Sequence, residues 1–129
     1  MIENYLVIIE PFASRHYIKK FSKKYHRAWD ITLKALISQF ERIDMLLQKD
    51  VAEIIIKSGD LKIIKSEFSV AGMHQSPKGS GNRCIVAVDE SCKKVYVLLV
   101  YHKNDLGDGN ETARWKKIIK DNYQQYPYL

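Results

Sequence analysis

Apolar positions along the chain switch between a two-residue and a helical period, and the switches mark out the elements. From Glu3 to Glu10, β-branched and aromatic residues (Tyr5, Val7, Ile8, Ile9) run up to Pro11, which predicts a first strand. Ser14 is placed to cap a helix over Arg15–Arg27, where Tyr17, Ile18, Phe21 and Tyr25 share one face. Arg15, Lys19, Lys20, Lys23, Lys24 and Arg27 cover its other faces. A second helix is predicted from Ile31 to Gln48 by Leu33, Leu36, Ile37, Phe40, Ile43 and Leu47. The short break between the two implies an antiparallel helix hairpin.

Residues 49 to 58, with Ile54, Ile55 and Ile56 in a row, fit a short helix or a buried strand equally. After the Gly59-Asp60 turn, Leu61–Met73 reads as a long strand. A polar loop, Gln75 to Asn82, precedes strands at Arg83–Asp89 and Lys94–Tyr101, joined by a turn at Glu90–Lys93. Their near-continuous apolar runs predict central strands covered on both faces. Asn110 then caps a last helix with Trp115, Ile118, Ile119 and Tyr123 as its buried stripe. The fold class expected is α+β, with an N-terminal strand, a helix hairpin, a small twisted antiparallel sheet and a C-terminal helix.

Composition narrows this picture without changing it. A chain of 129 residues that is 46% hydrophobic is expected to form a single domain over residues 1–129, with an ordinary core. No segment approaches the roughly 20 apolar residues of a membrane span. The apolar run at Tyr5–Ile9 has no cationic flank before it and no small-residue cleavage site, so a strand is expected, not a signal peptide. Cys84 and Cys92 are expected to be reduced thiols of a cytoplasmic protein, because they lie in no CxxC or zinc-ligand spacing. No metal or other cofactor is implied. The net charge of +6 suits a polyanionic partner such as nucleic acid.

The chemistry concentrates in Lys78-Gly-Ser-Gly-Asn-Arg83 and Tyr101-His102-Lys103-Asn104-Asp105. A Gly-rich loop brings backbone close to a ligand and carries Lys78 at its tip. In an antiparallel hairpin the start of one strand lies beside the end of the next, so Arg83 and Tyr101–Lys103 are expected to converge beside the loop. Such a spot suits a phosphodiester, with Arg83 bidentate on phosphate oxygens and Lys78 as a point charge. Tyr101 or His102 would stack on a base or move a proton, and His74 is a second proton-transfer and RNA-binding candidate. Lys19, Lys20, Lys23 and Lys24 form a basic face suited to RNA binding.

Each residue also has a plainer reading. Arg83 serves as well in an ion pair with an acidic neighbour at the sheet edge, and Lys78 as a solvated lysine. Tyr101 equally packs against a helix, while His16, His26, His74 and His102 equally face water. The basic run is equally a polar helix face. Trp29 and Trp115 read as core residues.

The ordered set of a basic helix hairpin, S-x-K-x-S-G-x-R-C-I-V, a turn and V-Y-V-L-L-V-Y-x-K-N-D resembles the RelE/HigB superfamily of bacterial toxins, nearest its HigB-like members. The similarity runs from about Phe12 to Tyr123 and is strongest over residues 61 to 106. The resemblance implies a twisted antiparallel sheet crossed by two helices, and metal-free cleavage of messenger RNA in the ribosomal A site. It also implies a cognate antitoxin partner that covers the site. Arg83 would hold the scissile phosphate, with Lys78 and Lys103 as further cations and Tyr101 at a position the family often fills with tyrosine. The chain departs from RelE where that protein has two lysines before the loop: His74 and Ser76 stand here. The carboxylate base of some relatives is not matched. Rival readings are a ParE-like gyrase inhibitor that cuts no RNA, and a non-catalytic RNA- or protein-binding module.

Overall fold

The computed structural model describes residues 4–126, so the predicted start of the first strand at Glu3 lies outside the described residues. The chain forms one five-stranded sheet in the order β1-β5-β4-β3-β2, with helices on both faces. Strands β2 (Ala52–Ser58), β3 (Leu61–Phe68), β4 (Asn82–Asp89) and β5 (Lys94–His102) form an antiparallel meander. Strand β1 (Leu6–Ile9) joins β5 in parallel, so the sheet is mixed at that edge. The ambiguous segment at 49–58 thus resolves mostly into the edge strand β2, in which Ile55 and Ile56 pack half-buried against one face of the core while Ile54 is exposed. Strand β3 stops at Phe68, short of Met73, where the chain turns through Gly72 at φ 80°.

The helical region starts earlier than the sequence implies. Pro11 opens α1 (Pro11–Ala13), where its missing N–H costs nothing and its fixed φ suits the first helical position. A π-helical stretch at Ser14–Ile18 follows and runs into α2 (Lys19–Tyr25), so Ser14 is not a cap. His26, at φ 52° and ψ −121°, breaks the axis, and α3 (Arg27–Glu41) returns across the sheet. The predicted second helix ends at Arg42 (φ −117°), with a separate turn, α4 (Ile43–Leu46).

One face of the sheet (Ile64, Cys84, Val86, Val88, Val95, Val97, Val100) packs on Phe21, Trp29, Leu36 and Phe40 from α2 and α3. The opposite face (Ile63, Ile85, Ala87, Leu98, Leu99, Tyr101) packs on Trp115, Ile119 and Tyr123 of the last helix, α6 (Glu111–Asn122), and its C-terminal continuation. Asn110 caps α6 through its Oδ1, which accepts from the Ala113 amide at 3.0 Å. Strands β4 and β5 are central and buried on both faces, as their apolar runs require.

A bulge in β5 decides which side chains face which helix. Ile85 pairs with Leu99 but Val86 pairs with Val97, so Leu98 is an extra residue and the alternation slips by one. Tyr123 donates its hydroxyl to the Leu98 carbonyl at 2.7 Å inside the core. Beyond the bulge, Leu99 and Tyr101 face α6, while Val100 faces α2 and α3.

Candidate functional site

Arg83, the second residue of β4, lies directly opposite Tyr101 on β5 and Glu67 on β3, so the three side chains stand in a row across adjacent strands on the α6 face. The first turn of α6 adds Glu111 above them. Arg83 is 9% exposed. Its Nη1 lies 3.5 Å from Glu67 Oε2, and its Nε lies 3.7 Å from Glu111 Oε2. Both distances exceed hydrogen-bonding range, so the contacts are electrostatic. Its hydrogen bond is from Nη1 to the Asn82 carbonyl at 3.2 Å, and the buried Nε–H has no acceptor among the described residues. A guanidinium carries five N–H groups in a rigid fork, so most of this fork is uncommitted to strong acceptors.

Tyr101 is 1% exposed and donates its hydroxyl to Glu111 Oε2 at 2.7 Å. Burial, then the hydrogen bond to Glu111 and its charge, push the Tyr101 phenol well above the usual tyrosine range, and Arg83 opposes this in part. The phenol therefore stays protonated and holds Glu111 in place. The edge ion pair and the helix-packing reading are thus both realised, for Arg83 and Tyr101 respectively.

The expected convergence is half met. Antiparallel register sets Arg83 against Tyr101, but His102 is the partner of Asn82 and faces the other side of the sheet. There it lines a cleft with Asn82, Lys20, Phe21, Lys24, Tyr25 and Asp105. The physical reason is strand alternation: consecutive residues of β5 point to opposite faces. His102 and Arg83 therefore flank one end of the sheet without sharing a pocket.

The loop at Gln75–Asn82 is more ordered than its glycines imply. Pro77–Ser80 forms one helical turn, α5, whose cap Ser76 accepts from the Gly79 amide at 3.0 Å. Lys78 projects from α5 and lies 3.7 Å from Asp50, which precedes β2. Both side chains are largely exposed, so this pair leaves Lys78 free to exchange partners. Lys103 is exposed at the start of the 3-10 turn Lys103–Leu106. His74 is exposed with φ 53° in the turn after β3. Lys19, Lys20, Lys23 and Lys24 are exposed along α2, with the Lys24 ammonium 5.2 Å from the Tyr25 ring centre.

Sequence reasoning missed the two carboxylates. Glu67 carried little signal: in β3 it shares the α6-facing side with Ile63, but so does Lys65, so a charge on that strand is not distinctive. Glu111 carried none, since an acid in the first turn of a helix is ordinary dipole chemistry. The cysteines are both free. Cys84 lies near the start of β4 and Cys92 in the turn beyond its other end, roughly 17 Å of strand away, so no bridge can form between them. Among the described residues, no three His, Cys, Asp or Glu side chains gather as a ligand set, and no helix is long and apolar enough to cross a membrane.

No family model matches the sequence, and no curated protein matches it significantly. A solved structure that is similar is the archaeal RelE-RelB complex from Pyrococcus horikoshii OT3, at 14% identity and a TM-score of 0.43, over 77% of this chain and 94% of that chain. At that identity and score the functional reading rests on the side chains themselves.

Proposed function

We propose that the chain is a single-domain messenger-RNA endoribonuclease of the RelE/HigB type, HigB-like, acting on the ribosome in the cytoplasm. It inhibits translation there and is neutralised by a cognate antitoxin. The observation that carries this reading is the Arg83 guanidinium, held at a sheet end beside Glu67 and Glu111 with its Nε–H unbonded. A phosphodiester oxygen supplies the acceptors that this fork lacks.

In the proposed reaction, which uses no metal ion, the ribose 2′-oxygen forms a bond to the adjacent phosphorus and the bond to the 5′-oxygen breaks. A 2′,3′-cyclic phosphate results. The 2′-hydroxyl proton passes to a carboxylate, and Glu67 suits this role because its Oε2 is only loosely paired, at 3.5 Å from Arg83. The leaving 5′-oxygen takes up a proton from a water molecule, and Glu67 later returns its proton to solvent. Negative charge accumulates on the phosphate oxygens during attack, and a pre-aimed cation in a site poor in water stabilises it. Glu111, tied to Tyr101, keeps the guanidinium oriented until substrate arrives. Lys78 and Lys103 are further cations near this end of the chain's fold, and the α2 lysines supply a docking face for ribosomal RNA.

The test is cleavage of messenger RNA on programmed ribosomes, mapped by primer extension, with Arg83→Ala beside wild type. Loss of about 100- to 1,000-fold in rate is expected from removing one charge-stabilising donor. Undiminished cleavage by the variant refutes the role of Arg83.

The closure of Arg83 by two carboxylates favours a second reading, in which Arg83 is structural and the chain acts by binding alone. A non-catalytic RNA- or protein-binding module and a ParE-like gyrase inhibitor are the two forms of it. A gyrase supercoiling assay run beside the cleavage assay separates these outcomes.

A further inference from the structure

We infer that His102 is a positioning residue: its ring, accepting at Nδ1 and donating from Nε2, locks the Ser80–Asn82 turn and thereby fixes the carbonyl on which Arg83 is anchored. Its effect on catalysis rests on the nuclease reading above; the lock itself does not.

The contacts of the ring determine its tautomer. The Asn104 amide donates to His102 Nδ1 at 3.1 Å. A backbone amide nitrogen has a proton to give and no lone pair to offer, so Nδ1 presents its lone pair. On the other side, Nε2 lies 3.1 Å from the Ser80 carbonyl oxygen, an acceptor, so Nε2 carries the proton. An imidazolium would set a second N–H against the Asn104 amide and break that contact. A ring committed at both nitrogens has no free lone pair to act as a base.

What the ring holds leads directly to Arg83. Gly81 lies under the imidazole at φ 80°, and a Cβ there would fall 2.5 Å from Nε2. The Lys103 amide donates to the Gly81 carbonyl at 2.8 Å, which closes the same turn from the β5 side. The Ser80 hydroxyl reaches the Phe68 carbonyl and accepts from the Asn82 amide at 3.0 Å. The Asn82 carbonyl then receives the Arg83 Nη1 hydrogen bond. The path from His102 to the guanidinium thus runs through one turn of backbone, across the thickness of the sheet. The charged groups bordering the ring are Lys20 and Lys24 from α2 and Asp105 from the following turn.

Two measurements on the full chain test this. Nitrogen-15 NMR of the imidazoles near neutral pH should show His102 with a protonated Nε2 and an unprotonated Nδ1. A protonated Nδ1, or a ring averaging between tautomers, overturns the inference. The second compares His102→Gln, whose amide can still donate towards Ser80, with His102→Ala. Alanine should speed hydrogen exchange of the Lys103 and Asn104 amides and cut ribosome-dependent cleavage by about 100-fold, the scale of a misplaced catalytic group. Glutamine should retain cleavage within about tenfold of wild type, because a positioning role needs the donor and not a titrating ring. Glutamine as inactive as alanine, with the turn amides still protected, overturns the inference in favour of acid–base catalysis. If the wild-type chain cuts no RNA, the nuclease reading fails, and the NMR and exchange results still decide this one.

Discussion

The two faces of the sheet meet the same end of the β4–β5 hairpin and build opposite environments there. On the α6 face, Arg83, Tyr101, Glu67 and Glu111 form a largely buried cluster in which the charges are paired at 3.5 and 3.7 Å and the Arg83 Nε–H has no hydrogen-bond acceptor among the described residues. On the α2 face, His102 and its turn form a connected set of hydrogen bonds of ordinary length to backbone groups, bordered by exposed lysines. The contrast teaches that proximity in sequence and proximity of chemistry are different things. Tyr101 and His102 are neighbours in the chain, yet one belongs to the ionic cluster and the other to its scaffold.

The largest effect that would break this division is loss of the α6 face. Trp115 is fully buried against it. Trp115→Ala should cost about 3–5 kcal/mol of stability, read as a lowered denaturant midpoint. A loss below about 1 kcal/mol would mean that α6 is a loose cover and not part of the core.

The bulge at Leu98 comes next, because it chooses the face on which Tyr101 lands. Tyr123→Phe leaves the Leu98 carbonyl without its side-chain donor in the core. A cost of about 1–3 kcal/mol is expected from chemical denaturation, and a neutral result would show that the bulge needs no such support.

Alkaline pH probes the same face. Burial raises the phenols of both Tyr101 and Tyr123 above their ordinary range. Their neutral forms are therefore favoured by folding, and this contribution is fully present below the unfolded pKa of about 10. It is lost as pH rises beyond that value. Stability measured by denaturation should fall between about pH 9 and 11, with both phenols ionising only as the chain unfolds. Ionisation near pH 10 in a still-folded chain would contradict the buried placement.

The smallest effect belongs to the other face. Replacing Lys20 and Lys24 by alanine should weaken ribosome binding uniformly across messages. It should also lower the slope of affinity against salt by about one per lysine. An unchanged slope would remove α2 from the RNA-docking surface.

The sequence made some of this legible and hid the rest for identifiable reasons. Strands β4 and β5 and the Asn110 cap were readable because uninterrupted β-branched runs and a capping side chain are local signals. The antiparallel pairing of the start of β4 with the end of β5 followed from the short turn at Glu90–Lys93. From that turn alone Arg83 would face Val100, and the slip at Leu98 is what sets it opposite Tyr101. The slip at Leu98 was not readable: an extra leucine among leucines and valines leaves the apolar run unbroken. Nor was the α1 start at Pro11, where the proline that ends a strand also opens a helix. The carboxylates stayed hidden because Glu67 and Glu111 meet Arg83 across a strand pair and a helix, and each looks ordinary where it stands.

The most direct measurement is the single-turnover rate of messenger cleavage on programmed ribosomes for wild type, Arg83→Lys and Arg83→Ala. If the guanidinium fork receives the scissile phosphate, cleavage leaves a 2′,3′-cyclic phosphate, and alanine slows it by about 100- to 1,000-fold. Lysine, a point charge without the fork, should recover only part of that loss. Equal rates for all three proteins, in folds of equal stability, would contradict the account and leave Arg83 as a structural counter-ion to Glu67 and Glu111.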